Sequence, residues 1–222
     1  APVTSFAAGQ RFTDTTEIRD MLAYLNVIGN SDDDLRLARI INMPARGIGT
    51  RTVELARGAA GREGRSLWEV IAGAEQRPEL QKAAGRLTLF TDMMRELMTA
   101  AETMPLPEFY HLMVERTGYA AMLEASKDVK SETRLENVRE LESTIQRYAA
   151  ESEVPTLAGF LAEMALMTDL DSDDGEADCV VLMTMHAAKG LEFPVVFVAG
   201  AEEGVFPGIR SIGEPEEMEE ML

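Results

Sequence analysis

The sequence predicts a mostly α-helical domain attached to part of an α/β domain with a parallel sheet, and three observations carry that expectation. Between residues 14 and 167, apolar residues recur at helical spacing in one segment after another, separated by glycine, proline and capping residues. Residues 168–178 are acidic and too polar to pack in a core, so they read as a hinge or linker. Beyond them the character changes. Residues 179–185 and 195–199 are short, continuous apolar runs rich in β-branched residues, the pattern of buried parallel strands.

Taken in order, residues 14–28 open with Asp-Thr-Thr-Glu, a capping-box pattern, and place Ile18, Met21, Leu22, Leu25 and Ile28 on one helical face. Ser31 is positioned to cap a second helix through Leu35, Ala38 and Ile41, which must end before Pro44. A turn follows at Arg46-Gly47-Ile48-Gly49, and Thr50 is positioned to cap a third helix to about residue 60. Further helices are expected at 66–74, 79–101, 106–117, 131–150 and 156–167. The methionines follow the apolar faces of these helices and read as core filler, and no solenoid-period repeat is evident. His111, beside Phe109 and Tyr110, reads as a core histidine, and Trp68 as core. Residues 209–222 are rich in glycine, proline and glutamate and stop without a closing signal, as an interrupted chain would.

The 222 residues, 45% of them apolar, suffice for one domain and part of another. A single cysteine, Cys179, excludes an intramolecular disulfide and a cysteine-built metal site, which fits a reducing, cytoplasmic setting. No apolar run is long enough to span a bilayer and the start has no leader pattern, so no membrane is expected. The formal charge of −18 excludes a general nucleic-acid coat, because neutralising phosphate needs a basic surface. Any DNA contact must therefore be local. Residues 46–65 gather Arg46, Arg51, Arg57, Arg62 and Arg65 against Glu54 and Glu63, the one clearly basic island.

Two segments carry chemistry. In Leu182-Met-Thr-Met-His-Ala-Ala-Lys-Gly-Leu-Glu-Phe-Pro194, a buried strand would deliver Thr184 and His186 to its carboxyl end, where ligands of open α/β sheets bind. The following turn offers backbone N–H groups and Lys189 for phosphate, with Glu192 close by as a hydrogen-bond acceptor. By residue types alone, an ordinary strand-turn-strand with a solvated lysine and a satisfied histidine is the favoured reading. The second segment is Arg46-Gly47-Ile48-Gly49-Thr50-Arg51-Thr52. Here two glycines permit a tight backbone at the start of a helix, a terminus that attracts phosphate without reading bases. Ile48 would plug the turn into the core, and the alternative is a glycine-closed corner with solvated arginines.

The first segment resembles motif V of superfamily 1 helicases, Thr-x-His-x-Ala-Lys-Gly-Leu-Glu-Phe, with Glu-Glu-Gly-x-Phe-Pro downstream. Arg11-Phe12 with residues 17–25, and Ile40-Ile-Asn-Met-Pro-Ala-Arg-Gly-Ile-Gly49, resemble further elements of the UvrD/PcrA/Rep family in the family's order. So do Arg134-x-Glu-Asn-Val-x-Glu-Leu141 and Leu157-x-x-Phe-Leu-x-Glu-x-Ala-Leu-x-x-Asp169, while residues 61–130 match more loosely. The resemblance implies residues 1–12 and 177–222 as parts of a RecA-like motor domain (2A) and 13–176 as the inserted helical domain (2B). It implies single-strand contact by Thr184 and His186, nucleotide contact by Gly190 and Glu192, and Lys189 serving either ligand. It also implies duplex contact by Arg46, Gly47, Ile48, Gly49, Thr50, Arg51 and Thr52. The parent would be a 3′ to 5′ DNA helicase using ATP and Mg2+, with repair proteins as possible partners. No Gly-x-x-x-x-Gly-Lys-Ser/Thr loop or Walker-B strand occurs here, so the chain alone is expected to lack ATPase activity. A protein-interaction module and the helicase subunit of a recombination nuclease are the alternatives.

Overall fold

The structure, a computed structural model, describes residues 3–4, 12–126, 128–173, 180–181 and 193–199, with backbone alone at 3–4, 167–173 and 180–181. The chain divides into two units, Ala1–Pro2 with Gln10–Val180, and Val3–Gly9 with Val181–Leu222.

The described residues of the first unit are predominantly helical. Helix α1 (Thr16–Gly29) is its axis: Ile18, Met21, Tyr24, Leu25 and Val27 are all fully buried. A helix apolar on nearly every side must be surrounded, and here α2 (Asp34–Ile40), α5 (Ala84–Thr103), α8 (Val129–Glu151) and α9 (Leu157–Asp173) pack on it. Helix α3 (Thr50–Glu63) packs on α4 (Leu67–Ala72), and α4 on α5. Helix α6 (Leu106–Thr117) joins α5 to α8 and leads through Gly118 into α7 (Tyr119–Ser126). Two carboxylates are buried on α1 and both are partnered. Asp20 accepts from Arg39 Nε at 2.6 Å and from the Tyr119 hydroxyl at 2.7 Å, while Glu17 accepts from Asn137 Nδ2 at 2.6 Å and lies 3.7 Å from Arg134 Nε. Buried charge is tolerable only with such partners. Among the described residues no helix is long and apolar enough to cross a membrane.

Several boundaries differ from those expected. The capping box at the start of α1 is not formed, because Glu17 is drawn into the core pair with Asn137 and the Thr15 hydroxyl donates to the Phe12 carbonyl. Asp33 caps α2 in place of Ser31, accepting from the Arg36 amide at 2.9 Å. The helix expected at 79–101 is preceded by a 3-10 segment, Pro78–Ala83, and continues to Thr103. Helix α9 runs to Asp173, through half of the expected linker. An acidic stretch resists core burial, but a helix satisfies its backbone internally whatever its side chains, so polarity alone did not stop it. His111 is exposed, 3.4 Å from Glu142, because the inward face of α6 is already filled by Phe109, Tyr110 and Met113. Trp68 is only partly buried, beneath the Arg95 guanidinium.

Among the described residues the strands are two short ones, β1 (Val3–Thr4) and β2 (Val180–Val181), which pair with each other. The strand expected at 195–199 is not formed, and Phe197 is 91% exposed. A continuous apolar run becomes a parallel strand only when sheet neighbours and covering helices occupy both of its faces. Among the described residues none flanks it.

Candidate nucleic-acid interface

The interface is built from the turn between α2 and α3. Helix α2 ends at Ile40, ahead of Pro44, which cannot continue it and disfavours the helical conformation of the residue before it, and Gly47 then adopts a φ of 70°, a region open to glycine but strained for other residues. Ile48 is buried and pins the turn to the core. Gly49, extended at φ −75° and ψ 166°, is the N-cap of α3, so Thr50 is its first residue and not its cap. The side chain of Asn42 closes the loop, its Oδ1 accepting from the amides of Arg46 at 2.8 Å and Ile48 at 3.0 Å.

What remains is a set of exposed donors. Gly47, Gly49, Thr50 and Arg51 are exposed, and among the described residues their backbone N–H groups meet no acceptor. Thr52 is partly buried and its amide turns back to the Gly49 carbonyl at 2.9 Å. A helix start with unpartnered N–H groups carries partial positive charge directed outward. The exposed side chain of Arg51 adds to it, without an ion-pair partner among the described residues. Arg86, on α5, adds a second cation that nothing in the local sequence announces: a Cβ at Gly47 would lie 3.2 Å from its Cδ and 3.6 Å from its Nη1. Among the described residues its guanidinium makes one hydrogen bond, donated to the Lys82 carbonyl at 3.0 Å. Of the remaining basic island, Arg62 faces Glu79 at 3.6 Å and Arg65 faces Glu69 at 3.3 Å, while Arg57 is exposed on α3 with no ion-pair partner among the described residues and adds to the positive charge of this helix.

Arg46 departs from the role its position implied. Its guanidinium faces inward, donating to the carbonyls of Ile40 at 3.2 Å, Pro44 at 3.1 Å and Thr117 at 3.1 Å, and to the Tyr24 hydroxyl at 2.8 Å. It also stacks 5.4 Å from the centre of the Phe90 ring. Tyr24 in turn donates to the Met43 carbonyl, and burial pushes its hydroxyl pKa up to about 12 against the opposing pull of Arg46. The other site residues, Thr184, His186, Lys189, Gly190 and Glu192, lie outside the described residues.

Residues 2–221 match the model of the UvrD-like helicase C-terminal domain. Over 222 residues the chain is 40% identical to the ATP-dependent DNA helicase PcrA of Bacillus subtilis, covering 97% of this chain and 30% of that protein. It is 38% identical over 220 residues to the PcrA of Staphylococcus epidermidis and 37% identical over 217 residues to that of Staphylococcus aureus, with the same coverage of each. The chain thus spans about 30% of the length of these relatives. Matched along nearly its whole length, it belongs to the UvrD-like helicase C-terminal domain family.

Proposed function

We propose that this chain is the duplex-handling portion of an ATP-dependent DNA helicase that moves 3′ to 5′ along single-stranded DNA in the cytoplasm, in repair or replication. Residues 13–176 are the inserted helical domain, and residues 1–12 and 177–222 belong to a RecA-like parallel-sheet motor domain. Thr184, His186 and Lys189 contact the single strand, and Gly190 and Glu192 face ATP, whose Mg2+ is held elsewhere in the motor. The chain by itself neither binds ATP tightly nor hydrolyses it, because a phosphate loop and magnesium carboxylates are absent from its sequence.

The observation that carries the reading is the α3 start: four exposed N–H groups with Arg51 and Arg86 beside them, on a chain of net charge −18. In an otherwise repelling field this is a local phosphate site, blind to base sequence. Titration of labelled duplex DNA over a salt series tests it. Each phosphate neutralised contributes a slope of about −0.9 to log K against log salt, so Arg51→Gln and Arg86→Gln should each flatten the slope by about that amount. Duplexes of different sequence should bind alike. An absence of duplex binding at low salt, or an unchanged slope in both variants, would put a protein-interaction module in place of this reading.

A further inference from the structure

We infer that Asn42 and Arg46 are positioning residues of the duplex-contacting turn, holding its backbone in the shape that presents N–H groups to phosphate without touching DNA themselves. The inference rests on the duplex reading above. It starts from the division of hydrogen bonds within the turn. The amides of Arg46 and Ile48 converge on one oxygen, Asn42 Oδ1, and the left-handed φ of 70° at Gly47 between them allows that convergence. With those two amides held inside, the N–H groups of Gly47, Gly49, Thr50 and Arg51 are the ones left facing solvent.

Arg46 completes the clamp from the other side. Its four terminal N–H groups have four acceptors, on α1, at the end of α2, at Pro44 and at the end of α6. The guanidinium also lies 5.4 Å from the Phe90 centroid and 6.0 Å from that of Tyr24. To reach a phosphate it would have to abandon these bonds, which would leave the Pro44 and Thr117 carbonyls without the donor they have here, although the Ile40 carbonyl would keep the Met43 amide at 3.0 Å. Lysine could not substitute, since a single ammonium lacks the planar fork that reaches all four acceptors. A positioning residue and a contact residue differ in a measurable way. Loss of a contact cation lowers the salt dependence of binding, whereas loss of a support lowers affinity and leaves that dependence unchanged.

The experiment measures duplex affinity of the 222-residue chain over a salt series, at a temperature where circular dichroism shows each variant fully folded. Asn42→Ala and Arg46→Lys leave the charge unaltered, and each should weaken binding about five- to tenfold at every salt concentration with the wild-type slope. Arg51→Gln, as the contact control, should lower the slope by about 0.9. In the Asn42→Ala variant the amide resonances of Gly47, Gly49 and Thr50 should shift while those of α8 stay, which general destabilisation would not produce. Wild-type affinity in Asn42→Ala would overturn the inference. So would full retention in Arg46→Lys combined with a flattened slope in Arg46→Gln, which would make Arg46 a direct contact. If Arg51→Gln flattened the slope in either case, the duplex reading would survive alone. A wild-type chain that failed to bind duplex would remove both.

Discussion

At residue scale the two glycines of the turn separate cleanly. Gly47 holds a φ of 70°, and a methyl group there would press on the Arg86 side chain at 3.2 Å. Gly49 sits at φ −75° and ψ 166°, an extended conformation open to any residue, and a Cβ there would meet nothing within 4 Å. The expectation that both glycines free the backbone therefore holds for the first alone. Gly47→Ala should cost about 1–2 kcal/mol in a urea melt, the penalty of a left-handed L-residue. Gly49→Ala should change stability by no more than about 0.5 kcal/mol, since the loss of unfolded-state entropy and the poorer N-cap oppose each other. Equal stabilities for the two variants would show that the turn is not held as described. Arg46 makes a related point: its neighbours in sequence mark it as a surface cation, but acceptors on other helices, Tyr24, 22 residues away, and Thr117, 71 residues away, help decide where it points.

At the scale of elements, α8 and α9 meet through an absent side chain. Gly159, in the first turn of α9, leaves the space taken by the Tyr148 hydroxyl, and the Tyr148 ring lies 5.6 Å from that of Phe160. Replacing a helical glycine with alanine ordinarily stabilises by about 0.5–1 kcal/mol. Here the new methyl group would collide with the hydroxyl, so Gly159→Ala should bring little or no gain. In a Tyr148→Phe background that collision is gone, the Thr156 Oγ1 at 3.1 Å remains as the nearest neighbour, and most of the usual gain should return. A double-mutant cycle by chemical denaturation should thus give a coupling of about 1 kcal/mol, and additive effects would mean that the two helices pack differently. The helix pattern itself was largely readable. Helix α6 lies where its apolar spacing placed it, and Ser66 with Glu69 forms the capping box on α4. The misplaced starts, at α1 and α2, are those where a tertiary partner claimed a capping residue or a nearer carboxylate took its place.

For the whole molecule, three buried tyrosines tie the helices together and set an alkaline limit on stability. Tyr24 donates to the Met43 carbonyl, Tyr110 to the Val138 carbonyl at 3.0 Å and Tyr119 to Asp20 at 2.7 Å. Burial raises the pKa of each, to about 12 for Tyr24 and further for the other two, with Asp20 adding to the rise at Tyr119. A phenol whose folded pKa lies above its ordinary value of 10.0 binds its proton more tightly when folded. Its contribution is therefore complete below pH 10 and is lost as pH rises through the folded values. The chain should unfold cooperatively above about pH 10, with phenolate absorbance and loss of helical circular dichroism rising together. Phenolate formation by these groups well ahead of unfolding would contradict their burial.

The sequence by itself determined the helical character of the first unit, the family and the place of the basic turn, because each is written in local spacing and residue type. It also predicted that Ile48 would be inward, since an isoleucine between two glycines has little other use. Only the tertiary structure decided which cations face outward. Asn42 captures two amides, Thr117 and Tyr24 draw Arg46 inside, and α5 brings Arg86 across to Gly47. A contact between residues distant in the chain leaves no mark on the local pattern of either, so position and charge could locate the turn without saying which of its groups are free to bind.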